Sequence, residues 1–130
     1  MEVVLKKSLG FVDIVIYDNA IFHSHILSKT PLTLSQVKEV YEFRLSVMGD
    51  KKALMLSTGA DRYIVPTQDA IDYIQSKDRT LSIKADAFVI KSFSQRLFIK
   101  TATGLKKMAT PISFFSTDSR AIEWLLSIKD

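Results

Sequence analysis

Apolar, β-branched and aromatic positions dominate two runs near the start of the chain, Phe11–Tyr17 and Ala20–Leu27, and Asp18-Asn19 between them tolerates turn dihedrals. The pattern predicts a hairpin, preceded by a short strand over Val3–Lys7 with Gly10 in the turn. From Pro31 to Gly49 the period changes to that of a helix. Leu34, Val37, Tyr41, Leu45 and Met48 recur at spacings of three and four, while Lys38, Glu39, Glu42 and Arg44 fall mostly on the other face. Thr33 has Gln36 three residues on, the pattern of a capping box, with Leu32 and Val37 placed as a hydrophobic staple. Gly49 ends the helix, and Asp50-Lys51-Lys52 form the exit loop.

The later chain alternates. Ala53-Leu54-Met55-Leu56 is a continuous apolar run of the kind expected for a strand covered on both faces, with Ser57-Thr58-Gly59 as the loop behind it. A brief extended piece, Tyr63-Ile64-Val65, leads through Pro66 to Thr67, which is placed to cap a helix through about Lys77 with Ala70, Ile71 and Ile74 inward. Ala85–Ile90 reads as a strand, Ser92–Thr103 as a helix closed by Gly104, and Ile112–Phe115 as a fourth buried strand. Ser116 or Thr117 then caps a closing helix that carries Ala121, Trp124, Leu125 and Ile128. A hairpin followed by alternating helices and strands implies an α/β fold with a mixed sheet, antiparallel at one edge and parallel beyond it.

Composition narrows this to a single domain over residues 1–130, of ordinary globular usage, with 47% hydrophobic and 25% charged residues. The chain has no cysteine, which removes disulfides, thiolate metal sites and thiol nucleophiles together and fits a reducing, cytoplasmic setting. Met1–Leu5 runs directly into Lys6-Lys7, not the order of a signal peptide. No apolar run approaches the roughly 20 residues that span a bilayer. The net charge of +4 is uneven. Lys84, Lys91, Arg96, Lys100, Lys106 and Lys107 stand against the single acid Asp86, a local +5, so the rest of the chain carries −1. A solvated face is the plain reading of that stretch, and an anion-facing surface the sharper one.

Motifs of catalysis are missing. No GxGxxG or GxxxxGK[ST] cradle occurs, and Leu56-Ser57-Thr58-Gly59 lacks the first glycine of a hydrolase elbow, so no catalytic residue and no cofactor are expected. His23 and His25, the two histidines, sit two apart on a strand and therefore on one face. This makes them a candidate metal pair, with Asp13 on the adjoining strand as a third group and an ordinary exposed sheet face as the favoured alternative. Asp69, Asp72 and Asp61 read as helix-start and loop acids. Nucleic acid is disfavoured as a partner, because Phe93 and Phe98 fall at helical positions that suit a core better than a stacking platform.

With its elements in the order hairpin, helix, strand, helix, strand, helix, strand, helix, the chain resembles the SpoIIAA-like fold shared by STAS domains and SEC14-like domains. Its tail is similar to that of small stand-alone STAS/SEC14-like proteins of Bacteroidetes-type bacteria, through Ala87-Phe88-Val89-Ile90-Lys91-Ser92-Phe93-Ser94-Gln95-Arg96-Leu97, Pro111, Phe115-Ser116 and Ala121-Ile122-Glu123-Trp124-Leu125. The resemblance implies a non-enzymatic interaction or regulatory module that docks another protein or a second copy. In signalling STAS domains a strand ends in Asp-Ser-Ser/Thr-Gly, whose serine accepts phosphate. Leu56-Ser57-Thr58-Gly59 occupies the comparable place, with Leu56 for the aspartate, and makes Ser57 and Thr58 the candidate phosphoacceptors. The SEC14-like side of the resemblance implies an alternative, a small apolar or anionic amphipathic ligand held between helix and sheet. Lys91, Arg96, Lys100, Lys106 and Lys107 would then face its anionic group.

Overall fold

The computed structural model describes residues 1–59, 64–102 and 110–128, and of residues 98–102 the backbone alone. Three strands open the chain, β1 (Val3–Ser8), β2 (Val12–Tyr17) and β3 (Ile21–Ile26), followed by helix α1 (Leu34–Met48), β4 (Ala53–Gly59), α2 (Gln68–Ile74) and the single turn α3 (Lys77–Thr80). Strand β5 (Ile83–Val89), α4 (Phe93–Ala102), β6 (Ile112–Phe115) and α5 (Asp118–Ser127) complete it. The six strands form one sheet in their chain order, β1-β2-β3-β4-β5-β6. β1, β2 and β3 pair antiparallel, and β3 through β6 pair parallel. The expected mixed sheet is what the residues build.

Local chemistry accounts for most boundaries. The capping box at Thr33 forms in both directions, with Gln36 N–H donating to Thr33 Oγ1 at 3.2 Å and Thr33 N–H to Gln36 Oε1 at 3.0 Å. Gly49 takes a φ of 56°, and its N–H donates to Leu45 O at 2.9 Å, closing the last turn. The hairpin between β2 and β3 turns with Ala20, at φ 73°, in the left-handed region. This is the αL third residue of a three-residue loop, where Asp18-Asn19 had suggested a two-residue turn.

The helix expected from Thr67 to Lys77 is two pieces. It stops at Ile74, and Ser76 starts α3 by accepting the Arg79 N–H. Thr67 does not cap α2 through its side chain; its hydroxyl donates to Asp69 at 2.5 Å. Strand β4 runs three residues beyond Leu56, so Ser57, Thr58 and Gly59 lie on the sheet rather than in a loop. Strand β6 is half-buried along its length, as befits an edge, and not the fully buried strand expected.

The sheet separates two cores. On one face Val12, Ile14, Ile16, Phe22, Met55 and Ile83 pack with Val40, Phe43 and Met48 of α1. On the other, Ile21, Leu54, Leu56, Ala85, Ala87 and Val89 pack with Ala121 and Leu125 of α5, with Trp124 against Phe115 at the margin. Among the described residues no helix is long and apolar enough to cross a membrane.

Candidate functional site

Helix α1 covers its face of the sheet incompletely and leaves a pocket. The floor is Val12 of β2, Ser24 and Ile26 of β3, Met55 and Ser57 of β4 and Phe88 of β5. The roof is Val37, Val40, Tyr41 and Arg44 of α1, with Ile74 of α2 and Arg79 of α3; Leu32 and Pro66 come from the loops leading into α1 and α2. Those two loops are stitched together by the Thr67 N–H, which donates to Leu32 O at 3.0 Å. The cavity measures about 70 Å³, enough for more than one small group. Ser24, Ser57 and Phe88 meet on the floor because they are ladder partners on three neighbouring strands.

The two arginines of the pocket differ in their partners. Arg79 forms a two-point ion pair with Asp86, Nη2 to Oδ1 at 2.8 Å and Nη1 to Oδ2 at 3.1 Å, and Nη1 also donates to Ile74 O at 3.0 Å. Both side chains are buried. Arg44 is 1% exposed yet has no carboxylate partner among the described residues. Its Nη1 donates to Ser82 O at 3.1 Å and to Ser82 Oγ at 3.0 Å, while Nε and Nη2 have no hydrogen-bond partner. The Tyr41 ring centre lies 5.2 Å from the guanidinium carbon. Burial and the charge of Arg79 together push the Arg44 guanidinium down to about 10. It is still a cation at neutral pH.

Arg44 corrects the sequence reading, which placed it with the solvent-facing charges of α1. It stands seven residues after Val37 and four before Met48, in phase with the apolar stripe, and that spacing was the available signal. Asp86 is corrected likewise. It is not the surface acid of a basic stretch but a buried group pointing to the α1 side beside Met55.

The candidate residues divide between the two faces. Ser57 lines the pocket, whereas Thr58, next along β4, points to the α5 side and is buried. Thr58 Oγ1 lies 2.8 Å from His23 Nε2 and 2.8 Å from His25 Nδ1. A hydroxyl has one proton, so with both imidazoles neutral Thr58 donates to one ring and accepts from the other. The histidines do share a face, as their spacing implied, but it is half-buried and hydrogen-bonded rather than freely exposed. Burial lowers the pKa of His23, opposed by Asp118 and reinforced by His25. Among the described residues no group of three His, Cys, Asp or Glu side chains is gathered to hold a metal.

Of the basic stretch, neither Lys91 nor Arg96 lines the pocket, and the side chain of Lys100 lies outside the described residues. Lys91 is exposed, and Arg96 donates to Ile90 O at 2.6 Å and Lys91 O at 3.1 Å, tying the end of β5 to α4. Lys106 and Lys107 lie outside the described residues, as do Asp61, Tyr63 and the expected helix end at Thr103-Gly104.

A family model described as a domain of unknown function, DUF7793, matches residues 14–129. No curated protein matches the chain. Among solved structures, an uncharacterized protein of the DUF3478 family with a SpoIIAA-like fold, from Shewanella loihica PV-4, aligns with a TM-score of 0.57 at 16% identity, covering 96% of this chain and 98% of that one. At that identity the likeness is one of fold.

Proposed function

The chain belongs to the DUF7793 family and has a SpoIIAA-like fold, and from the pocket over its sheet we propose that it is a non-catalytic binding module for a small amphipathic anion. One observation carries the reading: a buried, unpaired cation, Arg44, stands in the wall of an otherwise mostly apolar pocket. An uncompensated buried charge costs several kcal/mol, of the order of 3–5 when a partner is removed, and is tolerated where a ligand supplies the counter-charge. The apolar floor and roof would take the ligand's body and Arg44 its head, the arrangement common to pockets that orient a molecule by a few polar groups. The basic stretch is not needed for this role.

The test is native mass spectrometry of the protein as purified from cells, followed by a thermal-shift screen of amphipathic acids. A bound small acid, or a rise in melting temperature that grows with its concentration, is expected. Protein that is free of ligand and unmoved by every acid in the screen would sink the reading.

A STAS-like regulatory module that docks another protein or a second copy is the second reading. It is favoured by α4, where Phe93 and Leu97 are exposed large apolar side chains. The companion switch at Ser57 or Thr58 is less well supported, because a kinase would meet one hydroxyl inside the pocket and the other buried between two imidazoles. A Ser57→Asp substitution that leaves docking unchanged would remove it.

A further inference from the structure

The proposed binding role leaves the chemical class of the head group open, and the unfilled part of Arg44 narrows it. Nη1 is fully used, on the carbonyl and hydroxyl of Ser82. The two nitrogens without partners, Nε and Nη2, are adjacent and form one edge of the guanidinium plane. Their N–H bonds run side by side, which is the arrangement that grips two oxygens of one anion at once. The Tyr41 ring lies against the guanidinium, 5.2 Å from its carbon. A partner for this edge must approach in the guanidinium plane.

None of the described residues supplies that partner. Asp86 is committed to Arg79 through both oxygens. Glu39 and Glu42 of α1 and Asp78 of α3 are exposed. Among the described residues the buried charges here are Arg44 and Arg79 of the pocket wall and Asp86, the partner of Arg79, which leave a single positive charge uncompensated. A monoanion brings the site to neutrality, whereas a dianion would leave a net negative charge in the same low-dielectric surroundings.

Resting on the binding role above, we propose that the ligand is a monocarboxylate with a short apolar tail, and that the Arg44 side chain turns to present its Nε–Nη2 edge, closed off from solvent in the ligand-free protein, to both carboxylate oxygens. The tail lies over Met55, Phe88, Val37 and Val40, and the small volume of the pocket limits it to a few carbons. Ser57 and Ser24, ladder partners on the floor, add hydroxyls to the wall and suit a hydroxyl or keto substituent on the acid.

Isothermal titration of the full chain with hexanoate, hexanol and hexyl phosphate tests this, with the wild type and with Arg44→Met and Arg44→Lys. Hexanoate is expected to bind the wild type, to lose roughly tenfold to a hundredfold in affinity with Arg44→Met, and to lose part of that with Arg44→Lys, whose ammonium cannot form the two-point contact. Hexanol is expected to bind more weakly than hexanoate and to be indifferent to Arg44→Met. If hexanol or hexyl phosphate matches hexanoate on the wild type, or if Arg44→Met leaves hexanoate unchanged, the carboxylate seat is wrong while the pocket remains a binding site. If none of the three binds at up to about 10 mM, the binding role itself falls and the seat with it. A readout on the unmutated protein removes dependence on variant folding: the Arg44 Nε–H resonance is expected to shift on titration with hexanoate and to stay in place with hexanol.

Discussion

Replacing Arg44 by methionine is expected to stabilise the ligand-free protein. Holding the guanidinium inside the fold lowers its pKa from the ordinary arginine range to about 10, and at about 1.36 kcal/mol per unit this is a penalty of about 3 kcal/mol at neutral pH. Methionine of similar length gives up the two bonds to Ser82, worth about 1 kcal/mol each. It leaves no orphan behind, since Ser82 O also accepts the Ala53 N–H and Ser82 Oγ is within reach of Arg79 O. The balance is a gain of about 1 kcal/mol, a rise in Tm of roughly 3–6 °C for a chain of this size. Urea unfolding followed by circular dichroism measures it, with a higher midpoint and an unchanged slope.

Arg44→Lys keeps the charge and is expected to show no such gain. The pH dependence carries a sign as well. Above about pH 10 the unfolded chain holds the Arg44 proton that the folded chain has released, so the Arg44 penalty fades as pH rises and the advantage of the variant shrinks. A loss of more than about 1 kcal/mol in Arg44→Met would refute the reasoning, because it would mean that the guanidinium edge has found its partner within the chain.

Three further outcomes follow from other parts of the structure. Asp86→Asn strands Arg79 beside Arg44 with no counter-charge, and a loss of about 3–5 kcal/mol in urea unfolding is expected; a loss under about 1 kcal/mol would show the ion pair to be dispensable. Thr33→Ala removes one half of the capping box and should cost about 1 kcal/mol, while Thr33→Ser should cost much less. His23, its pKa lowered by burial, resists a proton that the unfolded chain accepts below 6.5, so stability falls as pH drops through and below that value. His23→Gln, which keeps a nitrogen near Thr58, should flatten the fall in Tm between about pH 7.5 and about pH 5; an unchanged slope would assign the fall to other groups.

How far the residues foretold this arrangement depended on how local the determining contacts were. The capping box at Thr33, the paired runs of β2 and β3 and the Trp124 stripe of α5 were legible because each is decided within a few residues. Ser57 and Thr58 were misplaced in a loop, since small polar residues before a glycine read as an exit. They belong to the sheet because Ser24 and His25 of β3 continue the ladder beside them.

Arg44 was assigned to solvent by residue type although its helical phase pointed inward. Asp86 sits in a strand whose neighbours Ala85 and Ala87 face the other side, and nothing near it in sequence announces that Arg79 will arrive from α3. The site is therefore the part least visible in the sequence. Its chemistry lies in which charges remain unpaired after folding, and pairing is a property of three elements together.

The order of the strands also bears on how the chain is made. Because spatial order follows chain order, each strand can join the edge left by the one before it as synthesis proceeds. The face formed by Leu54, Leu56, Ala85 and Ala87 is different, for it is covered by α5, which follows every strand. At synthesis rates of about 5–20 residues per second that apolar face waits several seconds for its cover. A protease that clips before Ala121 thus leaves a nearly finished sheet with one sticky side. The closing helix guards the young protein against its neighbours as much as it stabilises the mature one.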